Sequence, residues 1–113
     1  MRNQYIGKWK ECGWQEINLD FNVENLKLLL KEGLIVSGEY THQDIAQWCN
    51  QYTMYFIERE IREEGCGVAE DVSMQWDLFL TNKYSLEELQ SLDFSKVRLP
   101  SEWFEEWIKE LEK

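Results

Sequence analysis

Thr41-His42-Gln43-Asp44-Ile45-Ala46-Gln47-Trp48-Cys49-Asn50-Gln51-Tyr52-Thr53-Met54-Tyr55-Phe56 opens a stretch free of glycine and proline that runs to Glu64, where Gly65 interrupts it. Thr41 followed by Asp44 has the form of a capping box with Asp in place of the usual Glu, which marks a helix start. On a helix, Ile45, Trp48, Cys49, Tyr52, Tyr55 and Phe56 form one wide apolar stripe that shifts toward Ile57 and Ile61. Gln43, Gln47, Gln51, Glu58 and Arg62 fall on the opposite side. A face that broad belongs to a central helix touched by several neighbours.

Helical spacing extends to both sides of this segment. Upstream, Val23, Leu26, Leu29 and Leu30 recur at three and four residues over 22–32, with Asp20 or Asn22 as cap and Gly33 as stop. Downstream, Val68, Val72, Trp76, Phe79 and Leu80 predict a third helix of about three turns, ending at Asn82-Lys83-Tyr84. Ser85-Leu86-Glu87-Glu88 is a capping box for a short helix carrying Leu86, Leu89 and Leu92. Residues 96–99 are too short to assign. Pro100 and Ser101 then introduce a last helix, capped by Ser101, with Trp103, Phe104, Trp107, Ile108 and Leu111 inward and Glu102, Glu105, Glu106, Glu110 and Glu112 outward. In the first twenty residues Ile17 and Leu19 alternate toward Phe21 like a strand, whereas Tyr5, Ile6 and Trp9 fit one helical turn; a docked helix or loop is the expectation. The fold class is all-α: a compact single domain, residues 1–113, built as a bundle of five to six helices.

The 113 residues are 43% hydrophobic and 14% aromatic, enough apolar material for one core without disulfides or metals. No apolar run is long enough for a secretory leader or a membrane span, and the longest are 28–30 and 34–36. Cys12, Cys49 and Cys66 are odd in number and widely spaced, with His42 the one imidazole, so neither a disulfide framework nor a zinc site is written here. Cytoplasmic, reduced thiols are the expectation, with Cys49 in the core and Cys66 exposed between Gly65 and Gly67.

Chemistry is sparsely signalled. No phosphate-binding loop, dinucleotide fingerprint, HExxH, GxSxG or EF-hand loop occurs, so no enzyme, cofactor or metal is expected. Asp77, between Trp76 and Leu78, is an isolated acid among apolar neighbours, but position 77 falls off the apolar stripe and should point to solvent. His42, inside a capping sequence, is expected on an exposed first turn and not as a general base. The run from Gly38 to Ala46 has the opening of a helix-turn-helix, yet no turn follows about eight residues later and no basic recognition helix appears. Nucleic acid and membrane are therefore not expected as direct partners.

Charge says more than any motif. Twelve Lys and Arg oppose 22 Asp and Glu, a net charge of -10. Residues 1–56 hold five basic and seven acidic side chains, net -2, and residues 57–113 hold seven and fifteen, net -8. Glu58, Glu60, Glu63, Glu64, Glu70 and Asp71 crowd around Gly65-Cys66-Gly67, opposed by Arg59 and Arg62. They should form a negative ridge that favours a basic partner. With six Trp and five Tyr in so short a chain, some rings should reach the surface; Tyr55, Trp76 and Tyr84 are the candidate anchors near the acid-rich end, and Asp77 joins the candidate partner-binding set. Exposed aromatics would equally suit a homodimer.

The run Gly38-Glu39-Tyr40-Thr41-His42-Gln43-Asp44-Ile45, the acidic stretch after it, and Leu99-Pro100-Ser101-Glu102-Trp103 leading into an amphipathic terminal helix together resemble the small acidic immunity proteins of bacterial polymorphic toxin systems, among them contact-dependent growth inhibition and colicin-type nucleases. The likeness covers the last two-thirds of the chain and is one of type. It implies an inhibitor made beside a toxin, which binds the basic cytotoxic domain, nuclease-type by expectation, and blocks it until the toxin leaves the cell. A DNA mimic, or another acidic inhibitor of nucleic-acid-binding proteins, is the alternative.

Overall fold

The computed structural model describes residues 15–35 and 39–112. They form α1 (Val23–Gly33), α2 (His42–Glu58), α3 (Cys66–Lys83), α4 (Leu86–Ser91), a 3-10 turn (Phe94–Lys96) and α5 (Ser101–Leu111), and the described residues include no strand. The class is all-α, as the periodicity predicts. Tyr5, Ile6, Trp9 and Cys12, and Gly38 at the head of the helix-turn-helix-like run, lie outside the described residues.

The N-terminal half of α2 is the hub. Its capping box is complete: Thr41 Oγ1 accepts from the Asp44 N–H at 3.0 Å and Asp44 Oδ2 accepts from the Thr41 N–H at 3.1 Å. Every residue from His42 to Cys49 is buried, including Gln43 and Gln47, which the helical pattern placed on the solvent side. The reason is that α1, α3 and the 3-10 turn all pack against α2, while Gln15 and Leu19 bond to Asp44 and Trp48 from the remaining side. Residues 15–20 are also held against it, as an irregular segment and not a strand. The Gln15 N–H donates to Asp44 Oδ1 at 2.7 Å, and Trp48 Nε1–H donates to the Leu19 carbonyl at 3.3 Å.

His42 corrects a second expectation. It is 2% exposed, its ring lies 4.4 Å from that of Phe104, and both ring nitrogens are bonded. Nδ1 accepts from the Leu99 N–H and Nε2 meets the Gly33 carbonyl, each at 2.7 Å. Because Leu99 supplies the proton to Nδ1, the neutral ring carries its own proton on Nε2 and donates it to Gly33. Arg98 Nη2 donates to the same carbonyl at 2.9 Å. One imidazole thus joins the end of α1, the start of α2 and the strand-like 97–99 stretch, whose Val97 and Leu99 are buried.

The long helix stops at Glu58, six residues before the predicted end. Glu60 has φ 55°, the Ile61 N–H bonds the Phe56 carbonyl at 3.0 Å, and the Glu60 N–H bonds the Ile57 carbonyl at 3.0 Å. This is a Schellman ending with glutamate in the left-handed position that glycine usually takes, so no sequence signal announces it. The chain returns as α3, which is longer than predicted and packs along α2 as a hairpin. Gly65 caps the return with no room to spare, since a Cβ there would stand 2.5 Å from Tyr52 Oη.

α1 is capped by Asn22, whose Oδ1 accepts from the Asn25 N–H at 2.8 Å, and it lies against α5. At α5 the cap position is Pro100; Ser101 is the first helical residue and bonds Glu102 instead of capping, because its own N–H and side chain already lie within the turn. In α4 Leu89 is buried but Leu86 is exposed, so this short helix docks through one leucine. The buried side chains of all these elements form one continuous cluster centred on Trp48, Tyr52, Trp76 and Phe104.

Candidate partner-binding surface

The α2–α3 connection carries most of the predicted ridge. Glu58, Glu60, Glu64, Glu70 and Asp71 are exposed around it. Glu63 differs, being half-buried with Oε1 accepting from the Gly65 N–H at 3.0 Å, so it braces the turn. Beside the carboxylates, Ile57 and Ile61 are 57% and 53% exposed. In the sequence the apolar stripe of α2 shifts toward these two residues. The Schellman ending swings the chain away first, and they stand bare. With Phe56, Cys66, Glu60, Glu70 and the cationic Arg62 they rim an open hollow of about 350 Å³.

The three aromatic candidates separate. Trp76 is fully buried, because α3 turns position 76 onto α2, and its Nε1–H has no hydrogen-bond partner among the described residues; it is core and not an anchor. Tyr55 is exposed at the edge, but the Arg59 guanidinium lies 3.7 Å over its ring and Phe21 packs 5.2 Å away. Tyr84 is half-buried and caps the far end of α3. At 1.5 Å per residue it lies about 20 Å beyond Asp71 along the helix, so it does not share the acid-rich end. Asp77 is half-buried on α3, one turn and a half beyond the ridge, and does not join it.

A second surface is assembled by residues that sequence reasoning had assigned to other tasks. α3 and α5 run antiparallel and touch sparingly, leaving two adjoining hollows of about 430 and 300 Å³ that share Asp71 and Trp107. Trp107 and Trp103 line the hollows, and with Phe79, which packs on Trp103 outside them, they form a row of rings with centroids 6.4 Å and 5.9 Å apart and near edge-to-face angles. Asp71 Oδ2 accepts from Trp107 Nε1–H at 2.7 Å and fixes the first ring. Asp71 is therefore a positioning residue as well as part of the ridge. The available signal was Trp103 and Trp107 four apart with Glu106 and Glu110 on the flank, but the pattern reads equally well as an ordinary inward stripe.

Thiols are set apart by burial. Cys49 is fully buried, which pushes its pKa far above the ordinary thiol range, whereas Cys66 is half-buried and rims the hollow beside Ile57. Among the described residues no group of three or more His, Cys, Asp or Glu side chains is placed to hold a metal ion, and no helix is long and apolar enough to cross a membrane. A scan against protein-family models found no match, and neither did searches of curated proteins and of solved structures.

Proposed function

We propose that this chain is an inhibitor of the immunity-protein kind, which binds a cognate basic cytotoxic domain of nuclease type and neutralises it by covering it. The observation that carries this reading is the α2–α3 connection, where Glu58, Glu60, Glu64 and Glu70 are exposed together with Ile57 and Ile61, and Glu60, Glu70 and Arg62 line one hollow with the two isoleucines. Carboxylates steer a basic partner into fast encounter, and apolar contacts slow its departure. A toxin that holds phosphate is basic where it works, so the acidic face would meet it there. A DNA mimic needs the carboxylates but has no use for the two isoleucines, which favours a specific protein partner over the mimic.

The test is co-expression with the basic cytotoxic domain encoded beside this chain, followed by binding kinetics on the purified pair. The expected result is rescue of growth, and an association rate that falls at least tenfold between low and physiological salt. Reversing Glu58, Glu60, Glu64 and Glu70 to Lys, while leaving Glu63 and Asp71 to their structural bonds, should lower the association rate by a similar factor. Absence of binding to that domain, or equal binding to several unrelated DNA-binding proteins, defeats the proposal.

A further inference from the structure

The groove between α3 and α5 has a chemistry that the ridge lacks. Its floor is formed by Trp107 and Trp103, with Phe79 edge-to-face against Trp103 beyond the hollows, and its walls carry Glu70 and Asp71 from α3, Glu64 from the turn before it, and Glu106 and Glu110 from α5. Among the described residues lining the two hollows none is Lys or Arg. Two exposed apolar side chains follow one another along α3: Met74, 51% exposed and lining the larger hollow, and Leu78, 46% exposed one turn further on. Aromatic faces between carboxylates attract cations by two independent terms, the ring quadrupole and the ion pair. The molecule itself supplies an instance, since Lys83 Nζ lies 5.1 Å over the Phe79 ring at the end of the row.

We propose that this groove seats an amphipathic helix of the partner protein whose arginine or lysine side chains lie over Trp103 and between the Asp71 and Glu106 carboxylates, and whose apolar side chains meet Met74 and Leu78. A helix fits better than an extended segment. Both walls are helices whose backbone groups are already bonded internally, so a strand laid here would find no backbone partners, whereas a helix brings none unsatisfied. The span from Gly67 to Leu78 is about 16 Å, three turns of such a helix. The proposal deepens the inhibitor reading and rests on it for the identity of the partner; the basic character of the bound segment follows from the groove alone.

The experiment uses the full chain with its indole nitrogens labelled, titrated at about 150 mM salt with a synthetic amphipathic helix of leucine and arginine, about 15 residues long, and with the same peptide carrying glutamate for arginine. Saturable movement of the Trp103 and Trp107 indole resonances with Trp48 and Trp76 still, seen with the arginine peptide alone, is expected. Glu106→Lys, an exposed position that leaves the fold intact, should weaken binding about tenfold, and Trp103→Leu should do the same, whereas Glu58→Lys with Glu60→Lys should change it less than about threefold. Shifts spread over every acidic surface, or centred on Ile57 and Ile61, overturn the proposal, as does a dimer of the free chain that buries Trp103. The two readings fail separately. If the cytotoxic domain binds Glu106→Lys and Trp103→Leu as tightly as the parent, the groove is wrong and the inhibitor stands; if the arginine peptide occupies the groove and no cytotoxic domain binds, the reverse holds.

Discussion

His42 Nδ1 accepts the Leu99 N–H at 2.7 Å, across 57 residues of sequence, and this bond exists only while the imidazole is neutral. Burial lowers the His42 pKa from 6.5 to about 4; the bond to Gly33 pulls it upward and the Arg98 guanidinium pushes it further down. The unfolded chain therefore takes up the proton first as pH falls. The stability tied to this group is complete above about pH 6.5 and is lost progressively from there down through pH 4.

Between pH 7.5 and pH 5 that loss is about 2 kcal/mol, obtained by applying the linkage relation to the two pKa values. Urea unfolding at both pH values should show it in the parent chain. His42→Gln should be less stable at pH 7.5 and should lose most of this pH dependence. An imidazole that titrates near 6.5 in the folded protein by NMR would contradict the buried, neutral assignment.

Glu60 is the residue to change at the end of α2. Its left-handed backbone costs an L-residue about 1 kcal/mol that glycine does not incur. Glu60→Gly should raise the midpoint of thermal unfolding by about 5 °C, while Glu60→Ala, which keeps a Cβ, should leave it nearly unchanged.

Gly33 works in the opposite sense. A Cβ at this position would stand 2.3 Å from Phe104 Cε2, and the ring is held between His42 and Trp107. Gly33→Ala should cost about 1–3 kcal/mol by overpacking, measured by urea denaturation. Adding Phe104→Leu should recover part of that cost, so the two changes will not be additive.

The thiols give a rapid check on the core. In a Cys12→Ser background, a maleimide should label Cys66 in the native protein and reach Cys49 only after denaturant is added. Native labelling of Cys49 would mean that the α2–α3 packing is looser than described.

How much of this was legible beforehand depends on the range of the interaction concerned. Capping boxes at Thr41 and Ser85, the leucine spacing of α1 and the stripe of α5 are local patterns, and each lies where periodicity and side-chain chemistry put it. The acidic character of the region around Gly65 is equally a property of composition. The end of α2 was not legible, because a Schellman ending built on glutamate carries none of the residues that normally announce one. Trp76 left the anchor set, and Trp103 stayed only partly covered, for a different reason: a helical stripe states which side chains share a face, but not whether a neighbour covers it.

The amino-acid order alone determined that the chain is helical, where most of its helices begin, and that its negative charge gathers in the second half, since these follow from contacts within a few residues and from counting. Tertiary structure decided the burial of His42, Gln43 and Gln47, the exposure of Ile57 and Ile61, and the opening between α3 and α5. Each depends on how closely distant helices approach, and that distance is set by side chains such as Phe104 against Gly33 and Tyr52 against Gly65, which meet only once the chain has folded.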